Sequence, residues 1–190
     1  MVTMFATALS FANEVSPITI KNDAEKTSLT LTDVKQGDLL SLKDENGIVL
    51  YKESIKKTGN YTKGFDLTEL PNGTYLFELD KDVEISTIPF TVIAGAVTFN
   101  KADEKAFYKP VTRLVGDLLY VTKLSLDEAP LKIDIYYDSS NDGNFYAPVH
   151  SETIENTKII ERVYKLTNLE HGDFEIVYQS GGRTFTKSIH

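Results

Sequence analysis

Leu131-Lys132-Ile133-Asp134-Ile135-Tyr136-Tyr137 is the stretch on which the fold turns. Leu131, Ile133, Ile135 and Tyr137 fall on one side of an extended chain while Lys132, Asp134 and Tyr136 fall on the other. That period-two alternation belongs to a strand with one face on a core and one in water. Thr74 to Leu79 behaves likewise, with Tyr75, Phe77 and Leu79 on one face, and Ile88, Phe90 and Val92 alternate with Thr87, Pro89 and Thr91. Proline cannot donate to a ladder, so this last strand is expected at a sheet edge. No segment sustains helical spacing over three turns. Short alternating runs punctuated by turn residues therefore read as an all-β sandwich.

Working outward, the pattern L-x-x-L-x-x-G-x-aromatic-x-apolar-x-apolar occurs twice. Leu67, Leu70, Gly73, Tyr75, Phe77 and Leu79 recur as Leu166, Leu169, Gly172, Phe174, Ile176 and Tyr178, each displaced by 99 positions. The leucines fill a sandwich end, the glycine allows a tight turn, and the aromatic opens the next strand facing inward. A weaker echo links Ile18-Thr19-Ile20 with Val97-Thr98-Phe99, displaced by 79, each followed by a Glu-Lys pair at Glu25-Lys26 and Glu104-Lys105. Gly37-Asp38-Leu39-Leu40 and Gly116-Asp117-Leu118-Leu119 also match, but the strand order implied by the longer repeat does not make them equivalent.

The expected architecture is two tandem Ig-like, fibronectin III-like antiparallel β-sandwich units, residues 13–94 and a divergent second unit, 95–190. The strands of the first are expected at 17–21, 28–34, 38–43, 48–55, 63–68, 73–80 and 85–92. Those of the second are expected at 96–100, 117–126, 130–138, 145–153, 158–166, 172–179 and 182–189. Ile93-Ala94-Gly95-Ala96 is too short and too poor in proline to be a long spacer, which predicts restricted motion between the units.

Composition excludes several function classes. The 190 residues carry 28 acidic against 20 basic side chains, a formal charge of −8, which opposes nucleic acid or an anionic membrane surface as a partner. The absence of cysteine removes disulfides, thiolate metal sites and a cysteine nucleophile. His150, His171 and His190 leave little material for a histidine cluster. Met1 to Ala12 is an apolar, uncharged run too short to span a bilayer, with small residues at Ser10 and Ala12. It reads as a signal-peptide remnant over residues 1–12, cut after Ala12, and so predicts export to the periplasm, outer surface or extracellular space, with no membrane insertion of the mature chain.

Asp44-Glu45-Asn46-Gly47 followed by Ile48-Val49-Leu50-Tyr51, Phe65-Asp66-Leu67 and Leu70-Pro71-Asn72-Gly73-Thr74-Tyr75 carry a family likeness. Residues 28–92 resemble the small Ig-like β-sandwich modules of secreted Bacteroidetes proteins, and are similar to the C-terminal sorting domains of the type IX secretion system. The resemblance implies the sandwich fold and an exported protein. It does not carry a sorting role, because the better match comes first in the chain and a divergent copy follows. The segment is also similar to the tyrosine corner of Ig-like sandwiches, which implies that the Tyr75 hydroxyl caps the chain just upstream; Phe174 lacks that hydroxyl.

Candidate chemistry is sparse. Asp138, Ser140 and Asp142 place oxygens at alternate positions before Gly143 and Asn144, yet Val149 stands where a calcium loop needs a bidentate carboxylate, so this is half a ligand set or a hairpin turn. Asp80, Asp82 and Glu84 lie at a strand end and turn, without the enclosure that paired catalytic acids require. Neither G-x-S-x-G nor a Gly-rich phosphate loop occurs, and Gly181-Gly182 reads as a turn. Tyr136, Phe145 and Tyr146 cluster around the 138–144 loop, where aromatics stack on sugar rings, anchor a protein, or simply cover the wet face of a sheet. Asn60-Tyr61-Thr62 and Asn72-Gly73-Thr74 fit the N-glycosylation pattern.

No catalytic, cofactor-binding or metal residues and no cofactor are assigned, and the chain is not expected to be an enzyme. The sequence predicts an exported, non-catalytic structural, binding or adhesion module at the cell envelope, with a protein or glycan partner at the cell surface. The alternative is a small-ligand protein binding carbohydrate or calcium near residues 136–146.

Overall fold

Alternation along the chain becomes sheet faces in the computed structural model, which describes residues 16–139 apart from 24 and 25, and 146–190 apart from 168 and 170. The strands of the first half are β1 (Ile18–Asp23), β2 (Lys26–Val34), β3 (Leu39–Asp44), β4 (Val49–Ser54), β5 (Gly59–Phe65), β6 (Gly73–Asp80) and β7 (Glu84–Ile93). Then come β8 (Ala96–Phe99), a 3-10 turn (Lys101–Asp103), β9 (Lys105–Tyr108), β10 (Val111–Val115), β11 (Leu118–Leu124) and β12 (Leu131–Asp138). Finally β13 (Ala147–Ile154), β14 (Ile159–Lys165), β15 (Asp173–Ser180) and β16 (Arg183–Ile189) complete the order.

All pairings are antiparallel, and the chain is an all-β sandwich fold. One three-stranded sheet runs β1-β2-β5, and its partner runs β4-β3-β6-β7-β8 with β9 also on β7. The same order returns as β10-β11-β14 and β13-β12-β15-β16. Two apolar cores form. The first gathers Leu29, Leu31, Leu40, Phe77, Leu79 and Phe90, and the second Leu119, Val121, Ile133, Ile135, Ile176 and Tyr178. Each fully buried aliphatic or aromatic side chain contributes about 1.5–3 kcal/mol.

The repeated motif lands as expected: Leu67 and Leu166 are buried, and Tyr75 and Phe174 face inward from β6 and β15, which hold corresponding places in their sheets. Tyr75 Oη donates to the Pro71 carbonyl at 2.8 Å, the tyrosine-corner bond. Gly172 serves close approach rather than a turn, and Gly73 is not crowded. A Cβ on Gly172 would lie 2.4 Å from the Asp138 carbonyl oxygen, while on Gly73 it would touch only the Tyr75 ring at 3.5 Å. The Asp44–Gly47 turn is built by its own residues: Asp44 Oδ1 accepts from the backbone N–H groups of Asn46 and Ile48 at 2.9 and 2.8 Å, and Gly47 takes φ +79°.

Several expectations are corrected. Pro89 is not on an edge strand: β7 pairs with β6 along its length, while β9 takes Glu84–Thr87 and β8 takes Phe90–Ile93 on its other side. Pro89 falls in the gap between them, where no ladder donor is needed, and its carbonyl accepts from Asn100 N. Strand 96–100, expected to open the second unit, is β8 of the β4-β3-β6-β7-β8 sheet, with Val97 and Phe99 packed on the first core. The 79-residue echo therefore joins strands of different sheets, since β1 lies on β2. The place it was given belongs to β10, which was unforeseen, as was β9. The strand expected at 63–68 lies at Gly59–Phe65. The Gly37 and Gly116 segments precede β3 and β11, which hold different places in their sheets, as the longer repeat implied. Residues 1–12, read as a signal-peptide remnant, lie outside the described residues.

Candidate functional site: a cleft between β13 and β14

Strands β13 and β14 are edges of different sheets, and the second apolar core opens between them. A cleft of about 480 Å³ lies there, walled by Ile135, Tyr137, Val149, Tyr164, Leu166 and Phe174, with His150, Lys165 and Thr167 also on it. Tyr137 and Phe174 rings sit 4.8 Å apart and tilted, and the His150 imidazole lies 5.2 Å from the Tyr164 ring. The β12 alternation puts Tyr137 here and sends Tyr136 to the opposite face. A break of register between Ile135 and Tyr136 shifts the pairing with β13, which opens the strand at Val149.

A clasp stands beside the cleft and shares His150 and Tyr164 with it. Tyr164 Oη donates to Glu152 Oε1, Arg162 Nε donates to Glu152 Oε2 at 3.2 Å, and His150 Nε2 lies 3.7 Å from Oε1. Burial, the largest single influence, pushes the Glu152 carboxyl up; the Tyr164, Arg162 and His150 interactions outweigh it and hold the carboxyl below its ordinary value. Burial and the adjacent carboxylate push the Tyr164 hydroxyl up. The result is a carboxylate with both oxygens engaged beside a cleft of mixed aromatic and polar lining.

The same clasp stands at the equivalent edge of the first core. Tyr51 Oη and Lys63 Nζ donate to Glu53 Oε2, the lysine at 2.9 Å and 5.1 Å from the Tyr51 ring. Tyr51, Glu53, Lys63 and Phe65 become His150, Glu152, Arg162 and Tyr164 at the displacement of 99 that relates Leu67 to Leu166. This extension of the repeat passed unseen in the sequence because it is polar and its apolar spacing is interrupted. Carrying the offset upstream from Leu67 finds it.

The sequence-based candidates scatter. Tyr136 and Tyr146 are half-buried, and Tyr146 feels the charges of Asp173, Glu175 and Asp138. Asp138 is 1% exposed and engaged within the fold, unlike an open first ligand of a calcium loop. Ser140, Asp142, Gly143, Asn144 and Phe145 lie outside the described residues. Among the described residues no group of three metal-ligating side chains converges, and no helix is long and apolar enough to cross a membrane. Asn72 Oδ1 accepts from Ala94 N at 2.7 Å, which gives that glycosylation-pattern residue a turn-holding role.

No protein-family model matches the chain, and no curated protein matches it. Among solved structures it is similar to the BSP domain of a biofilm-associated protein, at 14% identity and a TM-score of 0.26, with 86% of this chain spanning 26% of that one. It is similar to the human OSCAR ligand-binding domain at 8% identity and a TM-score of 0.25, over 90% and 93% of the two chains. A structure of the receptor tyrosine kinase Torso, described as a basis of neurohormone perception, gives 8% identity and a TM-score of 0.23 over 93% and 73%. Likenesses at these scores carry no argument about the function of this chain.

Proposed function

We propose that the chain is an exported, non-catalytic binding module of the cell envelope, built as two tandem sandwich units, that takes its ligand in the β13–β14 cleft. The observation that carries this reading is the cleft itself: about 480 Å³, within the size range of small-molecule sites, with aromatic walls and a few polar groups on them. Its chemistry suits a ring with an apolar face and a hydroxylated edge, the features of a sugar, which stacks on aromatic surface and takes hydrogen bonds at its rim. Binding is favoured over catalysis because Glu152 is held ionised with both oxygens in use. A general acid needs the opposite displacement. Export follows the secreted modules that residues 28–92 resemble.

Saturation-transfer NMR against a panel of mono- and oligosaccharides tests the reading. The expected result is saturation of one sugar class, lost in Val149→Arg, which fills the mouth without touching the clasp. A panel with no saturation, or saturation unchanged by Val149→Arg, removes the cleft from the function.

A further inference from the structure

Lysine is rarely buried without a countercharge, because its ammonium loses hydration inside a protein. Lys123 of β11 is 4% exposed. Its Nζ donates to Ser125 Oγ at 3.0 Å and to the Leu124 carbonyl at 3.3 Å, lies 4.8 Å from the Phe107 ring centre, and makes no ion pair among the described residues. Burial pushes the ammonium down, and the charge of Asp127 opposes this. The frame does not ask for a cation here. Lys123 pairs with Ile160 as Leu31 of β2 pairs with Tyr61, and Tyr61 stands 99 positions before Ile160. Leu31 therefore holds the same place in the first core, where it is fully buried.

That cation stands on the wall of a cavity of about 190 Å³, to which β9 brings Lys105 and Phe107, β7 brings Ile85, and β11 brings Lys123 and Leu124. Of the other charged groups on it, Arg183 is neutralised by Glu78. Asp127 serves its own turn, accepting from Ser125 Oγ at 3.3 Å and from Ala129 N at 3.2 Å. Lys105 is exposed and makes no ion pair among the described residues. The Ser180 hydroxyl, one residue before Gly181 of the same wall, is buried and has no hydrogen-bond partner among the described residues. The cavity thus joins two unmatched cations to the apolar side chains of Ile85, Phe107 and Leu124.

We propose that this cavity binds a small organic monocarboxylate, whose carboxylate lies against Lys123 Nζ and whose apolar body lies on Phe107. A carboxylate supplies the countercharge that Lys123 lacks, and a charged hydrogen bond of this kind is strongest where water is excluded. Inorganic phosphate matches the cavity less well, because it needs donors around all its oxygens and Ile85, Phe107 and Leu124 offer none. Lys105 and Phe107 belong to a strand held on β7, whereas Lys123 belongs to a strand of the second core, so one bound ligand ties the two cores at their joint. The site shares no residue with the β13–β14 cleft, and the inference is independent of it.

Thermal unfolding of the full chain in sodium butyrate tests it, with sodium chloride and sodium phosphate at equal ionic strength as comparisons. The expected result is a midpoint that rises with butyrate concentration by more than either comparison salt gives. Lys123→Met weakens the fitted butyrate affinity at least about tenfold. Lys105→Gln, at an exposed position, weakens it about two- to fivefold and carries the test should Lys123→Met not fold. A butyrate effect no larger than that of chloride overturns the proposal. So does a larger effect of phosphate, or a butyrate effect undiminished in the folded variants.

Discussion

Arg183 Nη2 of β16 lies 2.5 Å from Glu78 Oε2 of β6, joining a strand of the second core to a strand of the first. Glu78 is buried and also takes Lys43 Nζ at 2.7 Å. Beside it, Phe107 of β9 stacks on Phe185, with Lys123 Nζ 4.8 Å and the Arg183 guanidinium 5.7 Å from its ring centre. Burial pushes the Glu78 carboxyl up, but the two cations outweigh it and hold it below its ordinary value. Arg183→Gln is expected to lower stability by about 1–3 kcal/mol. In a double-mutant cycle, Arg183→Gln and Glu78→Gln should be less than additive, whereas Arg183→Gln and Glu53→Gln should add. Urea unfolding measures both cycles, and additivity in the first would show that the contact carries no coupling.

The two glycines of the repeat separate by mutation. Gly172→Ala drives a methyl group into the Asp138 carbonyl and the Tyr137 ring, and is expected to cost about 1–3 kcal/mol or more. Gly73→Ala meets only ordinary contact with Tyr75 and should lie within about 0.5 kcal/mol of the natural chain. Thermal midpoints of the two variants decide the matter, and equal losses would contradict the geometry.

Acid should weaken the first clasp. The Tyr51 hydroxyl, then Lys63, holds the Glu53 carboxyl down to about 2 from an ordinary 4.5. A depressed carboxylate contributes stability that is fully present above its unfolded value and is lost as pH falls through the folded one. Glu53→Gln should therefore be less stable than the natural chain at pH 7 by about 1–2 kcal/mol, and the gap should close between pH 4.5 and about 2. Unfolding midpoints measured along that range report it; a gap independent of pH would mean that the charge of Glu53 is irrelevant.

Alkali should act on the second core. Burial raises the Tyr178 hydroxyl to about 12 from an ordinary 10.0, against an opposing hydrogen-bond contribution from Thr112, whose hydroxyl lies 2.7 Å away. The unfolded chain releases this proton first, so stability is lost as pH rises from 10 through 12, by about 2–3 kcal/mol from this group. Tyr178→Phe should flatten that decline. Phenolate absorbance should show two tyrosines, Tyr164 and Tyr178, ionising only as the protein unfolds, and complete titration of the folded protein near pH 10 would contradict the burial.

Much of the frame was legible because one face of each long strand is apolar. The bounds expected for β6, 73–80, coincide with Gly73–Asp80, and Leu131–Tyr137 lies within β12. β10 escaped because its outward residues, Val111 and Val115, are more apolar than inward Thr112, inverting the usual cue. β9 escaped because four residues, Lys105 to Tyr108, are too few to show a period. β5 was misplaced because Gly59 and Gly64 dilute its alternation. The cleft was not legible at all: Tyr137, Val149, Tyr164 and Phe174 come from four strands, and only the sheet order brings them together.

The connector between the two cores lies folded on β7, with β8 holding four residue pairs and β9 another four. Laid out straight, residues 94–110 would reach about 55 Å at roughly 3.3 Å each. A pull that parts the two cores can therefore strip these short ladders and pay out slack before β6 leaves β3. The segment that joins the two cores is thus held to β7 by its two shortest ladders, half the length of the eight-pair ladder between β6 and β7.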